Sequence, residues 1–350
     1  MIYSISTTAG LENIARQEIN SLVGDTKQFK IIMRKPQRIV FQYTGSPKDL
    51  LSLRTAEQLF LVVQHIPKMT RSRRSLTAIS SSLKRFNFAN TFDCCRQVGL
   101  KIRKRTQFRV MTRMSGFRNF QKRDLQQIIE RSLVDRGWQL TRSGSGIDVW
   151  AEMHGEDAYI SIRLSRPDMA QRSYKQASVP HTLKPTIASS MVRLTQPQSN
   201  DIFLDPMCGA GTILLERAFT GRYGYLIGGD ISEGALDATR RNFGRQHQPR
   251  QFFHWDAHTI PIQTNSVDKI VCNLPIDENY DNNSNLQELY RKVLIEFERV
   301  IKSGGKIVLL SMQPSLLNKI LKQRKSMKTR QQVGINVNGK RGRIFVIHYY

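Results

Sequence analysis

The chain is short of acid. Its 350 residues carry 28 Asp and Glu against 54 Lys and Arg, a formal charge of +26. A field of that sign attracts polyanions, with nucleic acid the leading partner and a membrane surface second. Long apolar runs are also missing. The longest, such as residues 59–63, 307–310 and 344–347, fall far below the roughly 20 residues that a bilayer crossing needs. No basic amphipathic helix with exposed Trp or Phe stands out either, which argues against membrane binding. The opening MIYSISTTAGLEN lacks the basic-then-apolar layout of a secretory leader, so a cytoplasmic protein is expected. Only four cysteines occur, Cys94, Cys95, Cys208 and Cys272, at spacings that fit neither a disulfide framework nor a metal site, and the seven histidines show no ligand spacing. No metal is expected.

What is present starts with core. At 39% hydrophobic residues the chain can build two or three domains. Residues 202–230, IFLDPMCGAGTILLERAFTGRYGYLIGGD, read as strand, glycine loop, helix and second strand ending in an acid. Gly209 and Gly211 frame a turn that lets backbone approach a ligand, and Asp230 arrives where a carboxylate can grip ribose hydroxyls. A dinucleotide fingerprint would place a third glycine where Leu214 stands. Asp205-Pro206 ahead of the loop puts an acid where a cation or hydroxyls would be preferred to a pyrophosphate, which suits S-adenosylmethionine. Two more strand ends follow: residues 251–255 lead into Asp256-Ala257, and residues 268–272 into Asn273-Leu274-Pro275. Polar groups at consecutive strand ends belong to the ligand-binding edge of an open α/β sheet.

These stretches, DPMCGAGT, GGD, WDA and NLP, resemble the cofactor and catalytic loops of class I methyltransferases that modify exocyclic amines. The closest likeness is to THUMP-containing RNA guanine-N2 methyltransferases. It implies an α/β chain: a C-terminal class I methyltransferase domain with a Rossmann-like seven-stranded sheet, preceded by α+β ferredoxin-like and THUMP domains. Residues 1–58, with a strand, an amphipathic helix, two strands and a helix over 47–56, resemble the ferredoxin-like piece. Residues 59–164 resemble the THUMP domain, 165–190 the linker, and 191–350 the methyltransferase domain, closing in a hairpin around Asn338-Gly339.

The window 101–123, KIRKRTQFRVMTRMSGFRNFQKR, holds nine basic residues and no acid, with Phe108, Phe117 and Phe120 interleaved. Cations for phosphates and aromatics for bases make it the expected RNA face, with Arg103, Lys104, Arg105, Arg109, Arg113, Arg118, Lys122 and Arg123 as its contacts. A merely solvated charge run would not alternate with Phe108 and Val110 as a strand does.

The resemblance implies S-adenosyl-L-methionine as cofactor and methylation of guanosine N2 in tRNA, the acceptor stem favoured; a monomer is expected. Asp205, Gly209, Gly211 and Thr212 would face the methionine part, Asp230 the ribose, Ile231 one face of adenine, Asp256 the adenine amine, and Ala257 would add its backbone amide. Pro180, Thr182 and Leu183 would lie over the cofactor, and His181 would be structural. Asn273 and Leu274 would accept hydrogen bonds from the target amine and Pro275 would fix the loop, Asn273 also touching the cofactor. Relatives place an aromatic residue after this tripeptide, where this chain has Ile276 and Asp277; Tyr280 would supply the ring instead. Two alternatives stay open: a tRNA-binding protein with a methyltransferase fold and weak or no catalysis, and methylation of a protein glutamine amide, against which the basic half argues.

Overall fold

The computed structural model describes residues 1–24, 29–144, 146–275, 283–337 and 339–350. The chain separates into two compact units: Met1–Ser6 with Arg16–Met169, and Thr7–Ala15 with Ala170–Tyr350.

The elements run β1 (Ile2–Ser6), α1 (Glu12–Val23), β2 (Phe29–Lys35), β3 (Arg38–Tyr43), α2 (Pro47–Leu50), β4 (Gln58–Ile66), α3 (Arg74–Arg85), α4 (Ala89–Gln97), β5 (Gln107–Met114), α5 (Lys122–Val134), β6 (Gln139–Leu140), β7 (Ile147–His154) and β8 (Asp157–Arg163). The first unit's strands form one eight-stranded sheet in the order β2-β3-β1-β4-β8-β7-β5-β6. The boundary expected after residue 58 therefore meets a central strand: β4 pairs with β1 through Tyr3↔Leu61 and with β8 through Leu61↔Ile162. The helix expected over 47–56 stops at Leu50. Buried Glu18 is the cause, because its carboxylate accepts the N–H groups of Arg54 and Thr55, both at 2.8 Å, and draws them out of helical pairing.

The second unit continues with α6 (Pro185–Leu194), β9 (Ile202–Asp205), α7 (Thr212–Thr220), β10 (Tyr225–Asp230), α8 (Glu233–Phe243), β11 (Arg250–His254), β12 (Val267–Asn273), α9 (Asn283–Val300), β13 (Ile301–Ser311), α10 (Pro314–Leu321), β14 (Met327–Val337) and β15 (Lys340–Tyr349). The expected seven-stranded sheet is present, in the order β11-β10-β9-β12-β13-β15-β14, parallel except where β15 runs antiparallel to both neighbours. Residues 185–190, expected in the linker, are the first turns of α6.

Alternation along the strands sorts their side chains into two cores. Phe203, Val271 and Val308 join one layer with α6, α7 and α8, whereas Leu204, Ile270, Cys272 and Leu309 join the other with α9 and α10. Leu11 and Ile14 fill the first layer beside Ile335 and Val337. The order of strands turns back at β9, which has β10 on one side and β12 on the other. Ligands of such sheets sit outside the carboxyl ends at this switch point.

Candidate active site at the carboxyl edge of the sheet

A cavity of about 480 Å³ opens at that place. Its floor is the turn after β9. Gly209 and Gly211 take left-handed φ values of 54° and 75°. A Cβ on Gly211 would also lie 2.9 Å from Thr239 Cγ2 and 3.3 Å from Phe243, so glycine there permits both the turn and the seating of α8. Where a dinucleotide site has its third glycine, Leu214 is buried, and the room comes from β10 instead: a Cβ on Gly228 would stand 2.6 Å from Leu214 Cδ1.

Asp230 holds this turn. Its Oδ2 accepts the Gly209 N–H at 2.8 Å and its Oδ1 accepts the Ser232 N–H at 3.0 Å. Each carboxyl oxygen has a second lone pair, so the group can still accept from a ligand. Ile231, next in the chain, is 69% exposed and lines the same cavity.

Asp205 is in a different state. It is buried in the cavity wall, its Oδ1 accepts only a long 3.4 Å bond from the Met207 N–H, and its Oδ2 has no partner. Burial first, then the charge of Asp230, pushes its carboxyl well above the usual carboxylate range. The folded state thus binds the proton more tightly than the unfolded chain. Stability is expected to fall as pH rises from the ordinary value of 3.8 toward the raised one. Asp205→Asn should flatten that fall in melting temperature across a pH series of the ligand-free protein; parallel profiles would exclude Asp205 as the source.

The far wall is built from the end of β11. Trp255 donates its Nε1–H to the Pro206 carbonyl at 3.1 Å, which ties that strand end to the glycine turn. Asp256 accepts the His258 N–H at 2.9 Å, and this bond, with the adjoining imidazole, holds its carboxyl below the usual range. Pro180, His181, Thr182 and Leu183 close the near side. Thr182 Oγ1 accepts the Val179 N–H at 3.0 Å and donates to the Val179 carbonyl at 2.5 Å, while His181 adopts φ 58°. Asn242, which sequence reasoning passed over, ties this segment to the floor: its Oδ1 accepts from Gln176 and Ala177, and its Nδ2 donates to the Ala210 carbonyl at 2.9 Å.

A family model covers the stretch of chain that lines this cavity. The UPF0020 profile, described as RMKL-like, methyltransferase domain, matches residues 172–342. Over residues 172–342 the chain is similar to that methyltransferase family. The "tRNA (guanine(6)-N(2))-methyltransferase THUMP3" of Mus musculus is 28% identical over 198 residues, covering 53% of this chain and 39% of the relative, so the chain spans about four-tenths of that protein's length. The "tRNA (guanine(6)-N2)-methyltransferase" of Methanocaldococcus jannaschii is 21% identical over 99% of this chain and 100% of its own. The crystal structure of TrmN from Thermus thermophilus superimposes with a TM-score of 0.85 at 22% identity, covering 100% and 99% of the two chains, which shows a shared fold.

In the methyltransferase domain, Asn273 and Pro275 line the cavity beside the residues above, but two expected residues do not. Gly211 shapes the floor from behind, and the Leu274 side chain is buried in the α9 layer while its N–H donates to the Leu310 carbonyl at 3.0 Å. Tyr290, on α9, was not foreseen. Its hydroxyl donates to the Pro275 carbonyl at 3.2 Å, and burial pushes it up to about 12, so it remains a donor at neutral pH. Ile276, Asp277 and Tyr280 lie outside the described residues.

The expected RNA contacts in the first unit divide. Arg103, Lys104, Arg105, Lys122 and Arg123 are exposed. Arg109 makes a two-pronged pair with buried Asp148 at 2.5 and 3.2 Å, Arg113 lies 3.5 Å from Glu152 and over the Trp150 ring, and Arg118 donates to the Thr70 carbonyl at 2.9 Å and to Gly155. The interleaved aromatics need correction: Phe108 and Phe120 are buried, because the period of β5 and the approach to α5 turn them into the core, and only Phe117, 74% exposed, offers a ring to solvent.

Proposed function

We propose that this chain is an S-adenosylmethionine-dependent methyltransferase acting on the exocyclic N2 of a guanosine in tRNA, the acceptor stem being the favoured region. The observation that carries the reading is a buried, partnerless Asp205 oxygen in the same cavity wall as Asp230, Asp256 and Asn273. A cationic ligand with vicinal hydroxyls and an aromatic amine fits that set of acceptors, and the names of the relatives support guanosine in tRNA as substrate.

When bound, S-adenosylmethionine supplies an electrophilic methyl on a sulfonium. Asp205 would receive the ligand's ammonium, the turn through Gly209 and Thr212 would pass along its methionine part, and Asp230 would hold the ribose. Ile231 would cover one adenine face, with Asp256 and Ala257 at the adenine edge and Pro180, Thr182 and Leu183 over the ligand. A guanine amine is a weak nucleophile because its lone pair is delocalised. The Asn273 side-chain oxygen and the Leu274 carbonyl would accept its two hydrogens, aligning the nitrogen and restoring lone-pair character as it attacks. Pro275, its carbonyl held by Tyr290, would keep that pair of acceptors in place. An incoming ammonium would favour the ionised form of Asp205, so Asp205→Asn, which cannot ionise, is expected to weaken cofactor binding by about 10–100-fold, the worth of a hydrogen bond to a charged group; calorimetry with unchanged affinity would contradict that role.

We read the first unit, spanning the expected ferredoxin-like and THUMP segments, as the RNA-holding part, with Arg103, Lys104, Arg105, Lys122 and Arg123 as its phosphate contacts, and the chain as a cytoplasmic monomer. Phosphate binding releases counterions, so RNA affinity should drop steeply with salt. A flat salt response in filter binding would count against it.

The deciding experiment is transfer of labelled methyl from S-adenosylmethionine to bulk unmodified tRNA, followed by nucleoside analysis. Label in N2-methylguanosine establishes the reaction. Tight tRNA and cofactor binding without label would favour the non-catalytic alternative instead.

A further inference from the structure

The 52 residues after Glu298 hold 12 Lys and Arg and no Asp or Glu. Some of these cations are engaged within the unit: Arg299 with Glu296 at 2.7 Å, Lys302 with Asp268 at 2.9 Å, Arg324 with Glu298, and Lys306 with Gln196. Lys340, Arg341 and Arg343 on the β14–β15 hairpin are exposed.

Strand register says where they stand. Asn273 pairs with Leu310, Leu310 with Ile344, and Ser311 with Arg343. Because β13 ends at Ser311, the hairpin carries Arg341 and Lys340 beyond the carboxyl edge on which Asn273 lies. Two strand spacings separate the Asn273 and Ile344 backbones by about 10 Å, and Arg343 is one residue, about 3.4 Å, further out.

The two faces of the hairpin differ. Val333, Ile335 and Val337 pack into the layer that contains Leu11 and Ile14. Arg341 and Arg343 pair with Asn336 and Gly334, and so project from the opposite face. There the Arg343 guanidinium donates to Gln332 Oε1 at 2.8 Å, and Gln332 Nε2 donates to Asn318 Oδ1 on α10 at 3.3 Å. That chain holds one guanidinium in place, and its remaining N–H donors can form a fork suited to a phosphate. Exposed Lys319 and Lys322 extend the positive row along α10.

We propose that the Arg341–Arg343 face of this hairpin binds the phosphate backbone of the substrate RNA beside the target nucleoside, so that the methyltransferase domain grips RNA itself. The inference rests on the RNA methyltransferase reading above. Its test compares the wild-type chain with Arg341→Gln/Arg343→Gln, measuring affinity for an unmodified tRNA transcript across a salt series and the kinetics of methyl transfer to it. The double variant should bind S-adenosylmethionine as the wild type does, which checks its folding. The slope of log affinity against log salt should become shallower by about 1.4–1.8, the value for two lost phosphate contacts. The apparent KM for RNA should rise at least about tenfold, or about 1.4 kcal/mol, with kcat nearly unchanged. Arg341→Lys/Arg343→Lys should restore most of the slope. An unchanged slope and KM in a glutamine variant, beside a wild type that methylates RNA, would overturn this inference alone. A wild type that binds no RNA would sink both it and the reading it rests on.

Discussion

Asn273→Ala is expected to lower methyl transfer to guanosine by about 10²–10³ in kcat/KM, chiefly through kcat. Asn273 closes β12 at the sheet's switch point and is among the residues that line the cavity, while Leu274, pinned through its N–H to Leu310, anchors the chain behind it. If its amide oxygen draws on an amine hydrogen only as the nitrogen attacks, the lost interaction belongs to the transition state. Substrate binding should then change little. Single-turnover kinetics with tRNA would show this directly. A raised KM for RNA with kcat intact would mean that Asn273 only seats the base, and the assignment of its carbonyl as the activating acceptor would fall.

The second large effect concerns stability. A Cβ on Gly229 would lie 1.7 Å from Trp255 Cε2 and 2.0 Å from its Nε1. That indole cannot move freely, because it is buried and donates to the Pro206 carbonyl. Gly229→Ala should therefore cost about 3 kcal/mol, the upper end of ordinary overpacking. At about 2–4 °C per kcal/mol for a unit of this size, the melting temperature should fall by about 6–12 °C. Gly234→Ala is the control. Its Cβ would meet nothing nearer than Ser232 Oγ at 3.8 Å, on the exposed side of α8, so it should be stabilising by up to about 1 kcal/mol. Equal melting of the two variants would show that the Trp255 contact is not close in solution.

The parts of this fold that were legible in the sequence are those whose signal is local. Glycine at positive φ, an acid closing a buried strand, and the polar tripeptide after β12 each announce themselves within a few residues. Helices α3 and α4 did not. The inward face of α4 is Thr91, Cys94 and Cys95, and that of α3 mixes Ser75 with Leu76, Ile79 and Leu83, so small polar residues dilute the periodicity. The early end of α2 depends on Glu18, 36 residues away from Arg54, and no local pattern could contain it. The same holds for Asn242 and Tyr290. Each is an ordinary helical residue until the fold brings a loop carbonyl against it. The Arg109–Asp148 pair likewise joins residues 39 apart, and a basic window read alone shows every cation as available.

The assignment of Thr7–Ala15 to the second unit has a consequence for modularity. A single cut after Met169 does not release two self-sufficient bodies. A fragment beginning at Ala170 would lack Leu11 and Ile14, leaving Val333, Ile335 and Val337 uncovered on the strand at the sheet's edge. Exposed apolar edge strands invite pairing between molecules. Grafting the second unit onto another protein would therefore require carrying the short N-terminal segment with it, as a separate peptide or by joining it through a new linker. The second unit is thus discontinuous in sequence, built from Thr7–Ala15 together with Ala170–Tyr350.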